Sequence, residues 1–224
     1  MINNFNYSPR ISVGEYFERY TLFDVGLTVE MISQGIAYTY HILDLIDKTL
    51  IERGAFRLSQ MMELANLSTF VGNLLATGIA NASHGVFCKN GPHKYPDLLA
   101  QVSGAKNVEI KVALEDNKPK GHLAKPGYYV TCRYVLGMEN GDFTLAQRGD
   151  VVWIWELRCG QLDETDFNSS NTPGDSGKTA VVNKNGMRKL EVVYCDLDRL
   201  PFSPRGRLIR DYRNQYSTRS NLFE

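Results

Sequence analysis

Apolar positions fall into two textures along this chain. Over the first ninety residues they recur at three- and four-residue steps, the spacing that lines one face of a helix. In MELANLSTFVGNLLATGIANAS, Leu64, Leu67, Val71, Leu74 and Leu75 draw one such stripe. A less regular stripe runs through LTVEMISQGIAYTYHILDLIDKTLIE and stops at the Arg53-Gly54 break. Two or three helices are expected here, at least one packed on a sheet or on a partner subunit.

Beyond Pro92 the pattern shifts to short runs rich in Val, Ile, Tyr and Trp, bounded by Gly, Asn or Asp. NVEIKVAL, GYYVTCRYVL and DVVWIWELR read as strands, with KTAVVN a fainter fourth. The polar QLDETDFNSSNTPGDSG between the last two reads as a loop. Without repeats, low-complexity tracts or a clear linker, residues 1–224 form one α+β domain: a mainly helical part over 1–90, a β-rich core over 91–200 and a basic tail over 201–224.

Composition narrows the class. Twenty-five Lys and Arg balance twenty-five Asp and Glu, so overall charge does not single out a polyanionic partner. From Arg188 onward, eight basic residues face five acidic ones, a local excess of +3 that suits either a solvated extension or a phosphate-contacting arm. No apolar run is long enough to span a bilayer, and no secretory leader is visible. Cys88, Cys132, Cys159 and Cys195 are widely spaced and lack zinc-ligand spacing, which points to a reduced, cytoplasmic protein.

Candidate chemistry gathers in YPDLLAQVSGAKNVEIKVA, residues 95–113. Strand alternation puts Val108, Ile110, Val112 and Leu114 on one face and Glu109 with Lys111 on the other. The Ser103-Gly104 turn lets the segment bearing Asp97 fold back beside this strand. Two carboxylates and a lysine then converge. Mg²⁺ prefers oxygen ligands and keeps waters, so Asp97, Glu109 and the Ile110 main-chain carbonyl suit it, with Mn²⁺ as a substitute. Lys111 is placed to orient a water or offset charge growing on a phosphate. The plain alternative is a same-face Glu-Lys ion pair on a solvated strand.

Pro96-Asp97 followed by Glu109-Ile110-Lys111 resembles the signature of the PD-(D/E)xK nuclease superfamily, most closely in the style of a type II restriction endonuclease. The resemblance implies a restriction-endonuclease-like core, a central mixed β-sheet flanked by helices. It also implies Mg²⁺-dependent cleavage of double-stranded DNA, usually by a homodimer, with Asp97 and Glu109 as metal ligands and Lys111 as the catalytic lysine. Many members add a glutamate from the helix before the Asp strand, a few residues after a glycine similar to Gly72. GNLLATGIA has no acid there, which leaves Glu63, further up the helix, as the candidate extra ligand.

Other segments carry weaker expectations. NTPGDSGKTA imitates a phosphate-binding P-loop but has Thr172 where that motif needs Gly and is followed by a β-like run, so no nucleotide cofactor is expected. Lys125, Arg133, Lys178 and Thr179 are candidate DNA contacts. His93 and His122 read as surface or structural histidines, and Trp153 and Trp155, on one strand face, as core or interface. The apolar helices are candidates for a dimer interface, to be recognised by stripes left exposed in a single chain. Two other functions compete with the restriction enzyme: a structure-specific nuclease of the same superfamily, such as a junction-resolving or repair enzyme, and a non-catalytic interaction domain.

Overall fold

The computed structural model describes residues 10–17, 24–92, 94–122, 125–170 and 179–202. The first long helix, α1 (Val29–Glu52), starts where the Thr28 hydroxyl accepts a hydrogen bond from the Met31 amide, satisfying one of the donors a helix start leaves open. A one-turn helix, α2 (Leu58–Met61), leads to α3 (Leu64–Ala82). Gly35 and Gly78 let α1 and α3 approach closely; a methyl group at 78 would press on the Gly35 backbone and the Tyr38 side chain.

Among the described residues, ten strands follow the order β1 (Glu15–Tyr16), β2 (Phe87–Lys89), β3 (Leu98–Ala100), β4 (Val108–Leu114), β5 (Lys120–His122), β6 (Gly127–Gly137), β7 (Val151–Leu162), β8 (Phe167–Ser170), β9 (Thr179–Val182) and β10 (Glu191–Cys195). Seven build a sheet in the order β1-β10-β7-β6-β4-β3-β2. Its β4 and β6 run parallel, Val108 opposite Tyr128 through Leu114 opposite Tyr134, and its other pairings are antiparallel, so the sheet is mixed. A smaller antiparallel sheet has the order β5-β9-β8.

The alternation expected of NVEIKVAL holds. Ile110 and Val112 turn to α3, where Gly72 lies against them, and the apolar stripe Leu67, Val71, Leu74 and Leu75 is buried in the same core. On the other face, Tyr129 and Leu162 join Phe167, Ala180, Val182, Met187 and Leu190 in a second cluster formed with the small sheet and the short helix α4 (Lys184–Lys189). Helices thus cover one face of the sheet, and the small sheet with α4 covers the other. This is the α+β layout read from the sequence, with the mixed, helix-flanked sheet that the resemblance implies.

Several expectations change. The helical stripes are spent inside the chain, so the exposed apolar face that would have marked a dimer interface is not found on them. The polar run after Leu162 is partly structured, since Glu164–Asp166 forms a 3₁₀ turn and Phe167–Ser170 pairs with β9. Two strands, β1 and β2, come from the first ninety residues. Plain alternation between Trp153 and Trp155 is broken by a bulge: Arg133 pairs with Glu156 and Tyr134 with Ile154, leaving Trp155 as the extra residue. Both tryptophans are buried, Trp153 edge-on to Tyr40 and Trp155 edge-on to Phe202. Among the described residues, no helix is long and apolar enough to cross a membrane. All four cysteines are free, and Cys88 alone of them is exposed.

Candidate active site

Asp97 sits one residue before β3 and Glu109 one residue into β4, and the antiparallel pairing of Leu98 with Val108 sets them side by side. The intervening turn needs Gly104 at φ +90°, a left-handed value that glycine adopts without a Cβ clash. Asp97 Oδ2 accepts the Ile110 N–H at 2.7 Å. In an extended strand a residue's C=O leaves on the same edge as its N–H, so the Ile110 carbonyl points to the Asp97 side as well.

Lys111 donates to Glu109 Oε1 at 3.3 Å. It is only 4% exposed, because its ammonium runs beneath Gly121 of β5; a methyl group at that position would overlap the nitrogen. Asp97, Glu109 and Lys111 are therefore brought together as the sequence predicts, and the lysine is roofed by the small sheet rather than solvated.

The two carboxyls are electrostatically strained. Burial raises the Glu109 pKa, and the charge of Asp97 raises it further against the pull of Lys111, to about 7. Asp97 is also raised by burial, opposed by the Ile110 amide, by Lys111 and by a hydrogen bond from Glu109. Near neutral pH the pair shares a proton that an added cation would displace.

This strain has a sign in stability. An unfolded glutamate releases its proton near 4.5, whereas folded Glu109 holds it to about 7. Stability from this group is therefore fully present below the unfolded value and is lost as pH rises through 7, by on the order of 3 kcal/mol. In EDTA the melting temperature is expected to fall between pH 5 and pH 8, and Glu109→Gln should flatten that fall. An identical pH profile for the two proteins would refute the proton-sharing pair.

Tyrosines that the sequence reading passed over complete the surroundings. The Tyr129 hydroxyl donates to Lys125 O at 2.6 Å, and the Tyr95 hydroxyl donates to Pro126 O at 3.3 Å. The Lys111 ammonium lies 5.7 Å from the Tyr129 ring centre. Burial raises both phenols' pKa values, and the charge of Glu109 adds to each. Tyr95 was within reach of sequence reasoning, being adjacent to Pro96-Asp97. Tyr129 was not, since the parallel register that sets it beside Glu109 leaves no local mark.

The remaining candidates divide. Lys125 stands at the rim, its ammonium 4.3 Å from the Tyr95 ring centre. Thr179 pairs with His122, next to the Gly121–Ala180 pair that roofs Lys111. Lys178 and His93 lie outside the described residues, as do the basic tail from residue 203 and the His122 side chain.

Arg133 is not a DNA contact in this fold. It is 1% exposed, and its guanidinium is bound to Glu156, which also holds Arg158 at 2.8 Å. Strand alternation turns Arg133 to the face covered by the small sheet rather than to solvent.

Glu63 does not join the site either. It is exposed and precedes α3, roughly two and a half turns, or about 13 Å, from Gly72. That helix packs on the Ile110 and Val112 face, opposite Glu109 and Lys111. Among the described residues, no three His, Cys, Asp or Glu side chains converge as a metal cluster. No protein-family model matches the chain, and no curated protein matches it.

Proposed function

We propose that the protein is a Mg²⁺-dependent endonuclease that hydrolyses phosphodiester bonds of double-stranded DNA, as a PD-(D/E)xK enzyme of the restriction type. The observation that carries this reading is the meeting of Asp97, Glu109 and Lys111 at the start of β4, within a mixed, helix-flanked sheet. Two carboxylates and the Ile110 carbonyl suit a hard divalent cation that keeps several waters, and the proton shared by the carboxyls marks a place where positive charge is missing. One ion fits this set better than two, since Glu63 is remote. When bound, Mg²⁺ polarises the scissile phosphate and acidifies a water in its shell.

The chain's own groups do the rest. Asp97 and Glu109 would hold the ion once their shared proton has passed to solvent, and the Ile110 amide fixes the Asp97 rotamer. Lys111 fixes Glu109 and keeps its ammonium beside the point where negative charge grows on the phosphate oxygens. Its burial under Gly121 reduces solvent screening and strengthens that effect. Sequence selectivity falls to the loops and strand ends after Lys111. A palindromic target would call for two copies of the chain, which light scattering of the DNA complex tests.

The decisive experiment incubates bacteriophage DNA with the protein in Mg²⁺, Mn²⁺ or EDTA beside an Asp97→Asn control. Discrete, metal-dependent bands absent from the control are expected. Cutting confined to a four-way junction would favour the structure-specific relative. Absence of cutting on both substrates with either ion would overturn the reading in favour of an interaction domain in which Glu109 and Lys111 are a structural ion pair.

A further inference from the structure

Asp97 stands one residue outside a short ladder. β3 joins β4 through Leu98 opposite Val108, and Asp97 lies just before that pair, at the end of the connection from β2. A carboxylate in this place keeps its aim only if the peptide on its other side is held.

Asn90, the residue after β2, supplies that hold. Lys89 pairs with Leu98, and the next pair outward sets Asn90 opposite Asp97, whose carbonyl accepts the Asn90 main-chain N–H at 2.8 Å. The Asn90 side-chain Nδ2 donates to the Pro96 carbonyl at 2.9 Å. The two carbonyls that flank the Asp97 Cα are therefore gripped by one residue. Asn90 Oδ1 accepts the Gly91 N–H at 2.9 Å, which fixes the way the amide faces.

Directly opposed residues of an antiparallel pair project to one side of the sheet, and neighbours along a strand project to opposite sides. Phe87 and Leu98 are buried in the main core with α1 and α3, so Lys89 turns to that side as well, and Asn90 and Asp97 turn to the face that carries Glu109 and Lys111. The amide is beside the acid, not behind the sheet. Asp97 Oδ2 in turn takes the Ile110 N–H at 2.7 Å, so one chain of hydrogen bonds runs from Asn90 through the Asp97 peptide to β4.

We infer that Asn90 is a positioning residue for Asp97: its amide fixes the Pro96–Asp97 peptide so that the carboxylate meets the Ile110 N–H and stands beside Glu109. The inference deepens the nuclease reading and rests on it for the identity of the ion that Asp97 holds. Asn90 acts through Asp97 and needs no contact with ion or DNA. Groups that orient a metal ligand commonly govern about 10–100-fold in metal affinity or activity.

Two measurements on the full chain test it. The first is Mn²⁺ binding without DNA, followed by calorimetry: Asn90→Ala should weaken it by about 10–100-fold. Single-turnover cleavage by the same variant should return towards the wild-type rate as Mg²⁺ approaches saturation, a split that a general loss of structure would not produce. The second is hydrogen exchange of the Ile110 amide in EDTA, read by NMR. Removing the hold on its acceptor should speed that exchange several-fold, up to about tenfold, the equivalent of one weakened hydrogen bond, and Asp97→Ala gives the upper limit. Asn90→Ser also lacks the amide donor and should show both effects should the alanine variant fail to fold.

Unchanged Ile110 exchange overturns the positioning, whatever the metal result. Unchanged Mn²⁺ affinity, beside a wild type that binds Mn²⁺ and cuts DNA, overturns its role at the ion and leaves the nuclease reading standing. Weakened Mn²⁺ binding and faster exchange, in a protein that cuts no DNA with any divalent ion, would uphold Asn90 while the hydrolytic reading fails, so the two failures are told apart.

Discussion

Lys111→Ala should lower the single-turnover rate of DNA cleavage by about 10²–10³-fold, the usual loss when one preorganised charge is removed from a developing anion. The geometry adds a second expectation. Because the ammonium is confined beneath Gly121, the longer, planar guanidinium of Lys111→Arg has no room to occupy its place, and rescue should fail. Gly121→Ala should reproduce most of the loss with the lysine intact, since the added methyl group displaces the nitrogen. Duplex affinity should change little in all three variants, because the lysine is not on the solvated rim. A Lys111→Ala rate within tenfold of wild type would remove the lysine from the chemistry.

The largest effect on stability is expected from Glu156→Gln. This carboxylate is 1% exposed and serves two buried guanidiniums, Arg133 at 2.7 Å and Arg158 at 2.8 Å. Burial pushes the Arg158 pKa down, and Glu156 is the main group opposing that shift. The amide keeps the volume and removes the charge, leaving two adjacent cations in a medium that screens them poorly. Breaking a buried pair in this way costs about 3–5 kcal/mol, a large part of the roughly 5–15 kcal/mol by which a domain is folded. Urea denaturation should show the midpoint fall accordingly. Replacing the triad together, as Arg133→Met, Glu156→Leu and Arg158→Leu, should cost far less, since no charge is then stranded. A loss below about 1 kcal/mol for Glu156→Gln would refute the electrostatic role.

Local periodicity explains which features could be read from the chain. The stripe from Leu64 to Leu75 and the alternation from Val108 to Leu114 each describe a surface that must be buried, so α1, α3, β4, β6 and β7 were legible, as was the turn that returns Asp97 to Glu109. The short strands β1, β2, β5 and β8 carry too few residues for a period. Their pairing is decided by partners far along the chain. Arg133 failed as a DNA contact for the same reason: its exposure depends on Glu156 and on the small sheet, and its own segment records neither. Glu63 failed because sequence distance does not tell which face of the sheet a helix covers. Tyr129 beside Glu109 needed the parallel register of β4 with β6, a long-range fact.

The edge strand β1 has a consequence for synthesis on the ribosome. Glu15 and Tyr16 pair with Cys195 and Tyr194, and Arg10 lies over the rings of Tyr40 and Trp153 while bound to Asp44. The first of these contacts to become possible join Arg10 to α1. The strand pairing must wait for a segment made roughly 180 residues later, about 10–35 s at ordinary elongation rates. Until then β7 has no neighbour on its outer side, because β10 lies between it and β1. A nascent chain stalled before residue 190 would therefore expose a long, apolar strand edge, the kind of surface that chaperones cover and that aggregates recruit.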